Sequence, residues 1–459
     1  MRSENLKLII AMVVGLGIFS SCQKNIQDAP FVVATLKDTV PAATDKIKDS
    51  ALLYARDIYL WYNQIPSTFN AQSYSDPNKI MEAIRAYSQE PGFTAPVDRW
   101  SFAMKQQDWD NISSGISGDF GLNIFFRASD DLRVKLVEKE SPAGKAGIRR
   151  GWRITKVNGN ANITTSNTDY LLPNIFKSNS TSFTFQKPDG TTADITLNGA
   201  TYQEHPIILD SIYTTATARV GYLSFNSFLG DTTEIYNNFQ RIFNRFSSEG
   251  VQELIVDLRY NGGGYVTVQE KLANYLVNAS GNGNIMMTQK YNDKYTQFNT
   301  TTRFKKLGAL NISRVFFIVS HNTASASELL INNLRPYMEV KLVGPSNTYG
   351  KPVGFFPIPV GDWYAFPVSF RTINKNGEGN YFNGISLDNK VADGLDKDWG
   401  DASEACLASV LKYINTGGYM TMSAESTARY YTDPLIEKSN LKFEEPSFKG
   451  AIAPERLLK

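Results

Sequence analysis

Ser325, Ser327 and Glu328 lie close together in "SHNTASASELLINNLRP" (residues 320–336), where an apolar strand gives way to an amphipathic helix. Ser325-x-x-Glu328 can be a capping box that satisfies the unpaired N–H groups of a helix start. It can also present a serine nucleophile at the end of a sheet. There the free N–H groups and the positive end of the helix stabilise developing negative charge, and Ala326 can offer its own N–H. A nucleophilic serine needs a base. The chain has two histidines, His205 in "YQEHPII" and His321, four residues before Ser325 on the same loop. Each is awkwardly placed to serve a Ser–His–Asp arrangement. Lys351 follows a Gly-containing turn in "VGPSNTYGKPVG" (residues 343–354). A lysine can act as base once its pKa falls from about 10.4 toward 7–8, at roughly 1.4 kcal/mol per unit, a shift that burial in a dry pocket supplies. Its ordinary alternative is a solvated surface residue. A third stretch, "VDLRYNGGGYV" (residues 256–266), puts three glycines directly after a strand. They let the backbone approach a ligand closely, as an oxyanion hole does, or they make a plain turn. The spacing of a dinucleotide fingerprint is absent.

These residues need a scaffold, and the composition limits what it can be. The 459-residue chain has length for about three domains. Lys plus Arg (47) nearly balances Asp plus Glu (45), so the net charge of +2 gives no reason to expect nucleic acid as a partner. Two cysteines, Cys22 and Cys406, and two histidines cannot build a zinc site or a disulfide framework. Cys406 sits in the helical pattern "SEACLASVLKYI", where a small buried role is expected.

Along the chain, Arg2 and Lys7 flank the apolar run "LIIAMVVGLGIF" (residues 8–19), too short to span a bilayer and suited to a signal-peptide core. "FSSC", ending at Cys22, resembles a bacterial lipobox, which makes Cys22 the lipidated residue and the bacterial cell envelope the expected location. Residues 1–22 then form the signal and 23–45 a tether. Residues 46–112 carry helical spacings. Residues 113–200 alternate like short strands. Residues 201–412 alternate apolar strands with helices, which argues for a largely parallel sheet covered by helices. Residues 413–459 resemble an extended tail. The fold class is α/β and multi-domain, and in open sheets of this kind ligands sit beyond the carboxyl ends of the strands.

"SPAGKAGIRRGWRITKVNG" (residues 141–159) resembles the PDZ-type segment "SPAxxAGIxxGDxIxxVNG". In that family a loop before the first long strand binds a peptide's C-terminal carboxylate; here it is "GLNI", Gly121, Leu122, Asn123 and Ile124. Asn123 stands where a second glycine is usual, and Trp152 where aspartate is usual. "DLRYNGGG", "TASASEL" and "TYGKP", in that order, resemble the C-terminal processing peptidases, or tail-specific serine proteases. "DRWSFAM" before the PDZ-like region and "GISLDNKVADG" (residues 384–394) extend the likeness. The resemblance implies an N-terminal helical segment, a PDZ-like domain and a ClpP/crotonase-like protease core. It implies Ser325 as nucleophile, Lys351 as general base, Glu328 as the residue orienting the pair, and Gly263 and Ala326 as oxyanion-hole donors. Ser327 becomes a bystander that packs or caps. Phe355 replaces the glutamine that many members carry four residues after the lysine. Expected substrates are proteins or peptides held by their C-terminal tails. A lipid anchor on Cys22 would hold the chain to a membrane, and neither metal nor organic cofactor is implied.

Overall fold

The computed structural model describes residues 44–420, 434–444 and 448–453. Cys22, the leader and nearly all of the expected tether lie outside them. Among the described residues no helix is long and apolar enough to cross a membrane.

The catalytic candidates hang from a six-stranded sheet. Its order is Asn389–Lys390, Glu339–Gly344, Arg314–Ile318, Glu253–Asp257, Arg219–Phe225 and Ile207–Thr214. All neighbours are parallel except the last pair. Alternate side chains explain why these strands read as continuous apolar runs. Val315 and Phe317 join Leu254 and Val256 under the helices Thr232–Ser248, Val266–Leu276 and Ala326–Leu334. Phe316 and Ile318 join Ile255 on the opposite face, under the helix Ala405–Thr416. In Thr232–Ser248 the rings of Phe239, Phe243 and Phe246 repeat at helical spacing and are fully buried, each burial worth about 1.5–3 kcal/mol. Cys406 is buried on Ala405–Thr416, its thiol 3.4 Å from the Ala392 carbonyl.

A five-stranded antiparallel sheet, residues 122–198, stands apart from this core. The chain enters and leaves it through an antiparallel ribbon in which Ile116–Asp119 pairs with Ala200–Gln203. Arg150 from this sheet unit is buried against the core. It donates to the Lys135 carbonyl at 2.8 Å and the Tyr260 hydroxyl at 2.9 Å, and it pairs with Asp393. The N-terminal helices Thr44–Ile58 and Pro77–Ile84 pack beside a three-stranded sheet built from Phe102–Lys105, Trp363–Phe366 and Ile358–Val360. Phe102–Lys105 is therefore a strand within the stretch read as helical. Its ring of Phe102 stacks on Phe366 at 4.4 Å, and that packing outweighs the local periodicity.

The chain beyond residue 413 differs from an extended tail. The helix Pro434–Glu444 lies along the edge strand Leu122–Ala128, and the strand Gly450–Ile452 pairs with Gly263–Tyr265.

Candidate active site

Ser325 immediately precedes the helix Ala326–Leu334, whose nine residues are all buried. Its backbone has φ 57° and ψ −106°. Among described non-glycine residues only Asn158 shares a positive φ. Such a conformation costs about 1–3 kcal/mol and persists only where the surroundings enforce it. A serine on a sharp strand-to-helix turn is the geometry of a nucleophile elbow. The loop before it is laced to the neighbouring strand end. Thr323 Oγ1 donates to the Leu258 carbonyl at 2.7 Å, the Ala324 N–H to the Asn261 carbonyl at 3.1 Å, and Ser320 Oγ to the Arg259 carbonyl. Ser327 Oγ donates to the same Asn261 carbonyl at 3.0 Å, so the bystander serine helps to hold the two loops together.

The strand end at Asp257 is anchored by buried charge. Arg259, 2% exposed, meets Asp257 at 2.6 Å, Glu404 at 2.7 Å and Asp393 at 2.9 Å. Burial would raise the Asp393 carboxyl, but Arg150 and Arg259 outweigh it and hold the group below its ordinary value. The glycines follow from this anchor. Gly263 has φ 104°, and a side-chain carbon there would run into the Gly450 carbonyl and come within 3.0 Å of Ala326 N. Gly263 and Ala326 are thus brought together. The Ala326 N–H finds no acceptor among the described residues, whereas the Gly263 N–H donates to Asn261 Oδ1 at 2.9 Å.

Glu328 unites the remaining pieces. One carboxylate oxygen accepts from the Ser325 N–H and the Lys351 N–H, each at 2.8 Å. The two nitrogens are therefore no more than twice 2.8 Å apart. The other oxygen accepts from Thr348 Oγ1 and the Gly350 N–H, both at 2.6 Å. Burial raises the Glu328 pKa, and these four donors oppose the rise. The expected capping box is present, and the half in which Glu328 receives the Ser325 N–H is the one that ties Ser325 to Lys351. Gly350 has φ 92° and is pressed against the Phe382 carbonyl, so the turn before Lys351 demands glycine.

Lys351 is 1% exposed. Its Nζ lies 3.6 Å from the centre of the Phe355 ring and 5.7 Å from that of Trp100. Burial drives its pKa well below the ordinary value, against an upward pull from Asp98. No carboxylate among the described residues forms an ion pair with it. Nζ donates to the Lys449 carbonyl at 2.9 Å, and Ser325 Oγ faces the Val353 carbonyl at 3.5 Å. Both residues are buried, and no hydrogen bond joins the amine to the hydroxyl. His205 is bound to Glu234 at 2.8 Å, and the exposed His321 rests its ring edge on Tyr349; neither bonds to Ser325.

In the loop read as carboxylate-binding, Gly121, Leu122 and Asn123 line a cavity of about 250 Å³ that reaches Gly262 and Gly263. Ile124 instead points into the sheet core. The Gly121 N–H donates to Asp119 Oδ1 at 2.7 Å. Asp119, Glu138 and Glu204 share this wall with Lys135. Burial, helped by Glu204 and Asp119, pushes the Glu138 carboxyl up to about 8. Sequence reasoning missed Phe448–Ala453, which touches the glycine loop and Lys351. "FKGAIA" carries no periodicity that distinguishes it from a tail.

With this geometry in view, the models of known families are informative. The peptidase family S41 model matches residues 219–391, which carry Gly263, Ser325, Glu328 and Lys351. The S41 N-terminal domain model matches residues 47–102. Over these two stretches the chain is similar to peptidase family S41. Relatives of the chain include the "Probable CtpA-like serine protease" of Staphylococcus aureus (strain COL), 25% identical over 314 residues, covering 64% of this chain and 60% of the relative. The Staphylococcus epidermidis protein of the same name is 26% identical over 262 residues, covering 55% and 49%. The match thus spans about 60% of the first relative's length. A crystal structure from Bacteroides fragilis assigned to the S41 proteases superposes with a TM-score of 0.66 at 22% identity, covering 82% of this chain and 98% of that one. At that identity the match shows a shared fold.

Proposed function

We propose that the protein is a serine endopeptidase with a Ser325–Lys351 dyad. One observation carries this reading. A desolvated lysine without a carboxylate partner is fixed, through its backbone, to the same Glu328 oxygen that holds an elbow serine. Neutral Lys351 takes the Ser325 hydroxyl proton as Oγ bonds to the scissile carbonyl carbon. The Ala326 N–H, joined by the Gly263 N–H once it leaves Asn261, receives the oxyanion. The C–N bond then breaks, and the protonated amine returns its proton to the leaving nitrogen. Water activated by Lys351 hydrolyses the acyl-enzyme. Glu328 acts on backbones and is a positioning residue.

The 122–198 unit serves as a PDZ-like module that takes a substrate's C-terminal tail near Gly121–Asn123. In support, the cavity there runs to Gly263. Lipidation of Cys22 would hold the enzyme at the bacterial cell envelope. The test is cleavage of an unfolded reporter protein by the wild-type chain, Ser325→Ala and Lys351→Ala. Loss by orders of magnitude in both variants is expected, and parent-rate cleavage by either refutes the dyad.

A second reading, peptide capture without cutting, is favoured by Lys351 Nζ donating to Lys449 rather than to Ser325. It predicts peptide binding by the wild-type chain with no new termini produced.

A further inference from the structure

Residues 434–444 and 448–453 behave like a bound peptide at two places. At the first, Leu122–Ala128 is an edge strand of the five-stranded sheet, with backbone groups open for strand addition. Asn440 fills that role with its side chain. Its Oδ1 accepts from the Phe126 N–H at 2.7 Å and its Nδ2 donates to the Phe126 carbonyl at 3.0 Å. Phe443 packs between Phe126 and Phe176, at 5.5 and 6.0 Å, closing the groove between this strand and the helix Thr168–Phe176.

At the second place, Gly450–Ile452 runs parallel to Gly263–Tyr265. The Gly450 N–H donates to the Gly262 carbonyl at 3.0 Å, the Phe355 N–H to the Ala451 carbonyl at 3.0 Å, and the Ala453 N–H returns to the Phe355 carbonyl at 3.2 Å. The extended backbone is bonded on both sides, between the oxyanion glycines and the strand that follows the candidate base. Its Lys449 carbonyl takes the proton-bearing face of Lys351. Phe448 and Lys449 also line two cavities. One, of about 250 Å³, contains Gly121–Asn123 and Gly262–Gly263. The other, of about 470 Å³, is walled by Trp100, Phe102 and Met104. Lifting these two residues would take away part of the wall that the two cavities share, beside Lys351 and the glycine loop. The seat takes small residues, because a side chain at Gly450 would come within 2.8 Å of the Phe355 ring.

We propose that Pro434–Glu444 and Phe448–Ala453 form an intrasteric inhibitor that occupies both the tail-binding edge and the cleavage site, and that an extended peptide with small residues at its centre enters by displacing it. This rests on the peptidase reading of the site, because the seat is a substrate path only if that reading holds. While the strap is seated, Lys351 is held away from Ser325. A substrate therefore gains access and a free base in the same event.

The test uses the full chain carrying Gly450→Leu, alone and combined with Asn440→Ala. Binding of a fluorescent "FKGAIA" peptide is measured by anisotropy in a Ser325→Ala background, and reporter cleavage is measured with Ser325 intact. If the strap is seated about nine-tenths of the time, unseating it strengthens apparent peptide affinity about tenfold, and cleavage rises in parallel. Folded variants that bind no better than the parent overturn the proposal. Tighter binding without cleavage by any form keeps the strap and sinks the peptidase reading instead. Should the variants fail to fold, hydrogen exchange on the unaltered chain decides. Excess peptide should speed exchange at Phe448–Ala453, and unchanged protection there overturns the proposal.

Discussion

Lys351→Met tests the desolvated amine directly. Methionine keeps a long flexible chain in the pocket beside Phe355 and Trp100 and removes only the titrating group. The charged neighbours that act on the amine are Asp98 and Glu328, which favour its charge, and Arg85, which opposes it; burial outweighs them and lowers the pKa. Above 10.5, its ordinary value, the amine is neutral in both folded and unfolded chains and costs nothing. As the pH falls below that value, the unfolded chain binds a proton that the native pocket refuses. The wild type then loses about 1.4 kcal/mol per pH unit relative to the variant, until the folded pKa is reached and the penalty stays constant. Against this, methionine forfeits the 2.9 Å bond to Lys449, worth roughly 1 kcal/mol at any pH. The variant should therefore be slightly less stable in strong alkali and more stable near neutrality. Urea unfolding of both proteins across this range measures the difference. A difference that stays flat with pH means the amine is charged in both states and refutes the desolvation argument.

Other perturbations follow the same physics. Glu328→Gln sets an amide N–H₂ against two of four buried donors, so it should cost about 2–4 kcal/mol in thermal or urea unfolding and depress turnover more than substrate binding. Arg150→Met breaks the buried link between the 122–198 unit and Asp393. A loss of about 3 kcal/mol is expected, with faster hydrogen exchange at Lys135 and Tyr260. Phe355→Gln makes the surroundings of the amine more polar and so restores part of its proton affinity. The rise of activity with pH should move to higher pH, and an unmoved profile removes Phe355 from any part in tuning the base.

The residues most legible in the sequence were those tied to local chain geometry. "DLRYNGGG", "SASE" and "YGK" each end a strand or begin a turn, so their order along a parallel sheet places them at one edge. The α/β alternation and the antiparallel character of residues 122–198 could be read for the same reason, from period and turn residues. What stayed hidden depends on contacts between distant segments. Arg150 and Asp393 are 243 positions apart, and no local pattern announces their pairing. Phe102–Lys105 takes its strand geometry from Trp363–Phe366. Lys449 meets Lys351 across 98 positions. Glu328 was visible as a candidate partner of Ser325 and Lys351, but its grip on backbone N–H groups rather than on the amine is a matter of three-dimensional closure.

The ribbon that carries the chain into and out of the 122–198 unit has its two ends side by side, with Asp119 directly opposite Ala200. The unit is consequently a cassette on a paired stem. A tight turn joining the two stem strands would delete it without rerouting the catalytic sheet, and a foreign module with adjacent termini could be spliced in its place. The unit and the α/β core are thus separable by a single excision, at the cost of the Arg150 contacts and of those that Asn440 and Phe443 make with the unit.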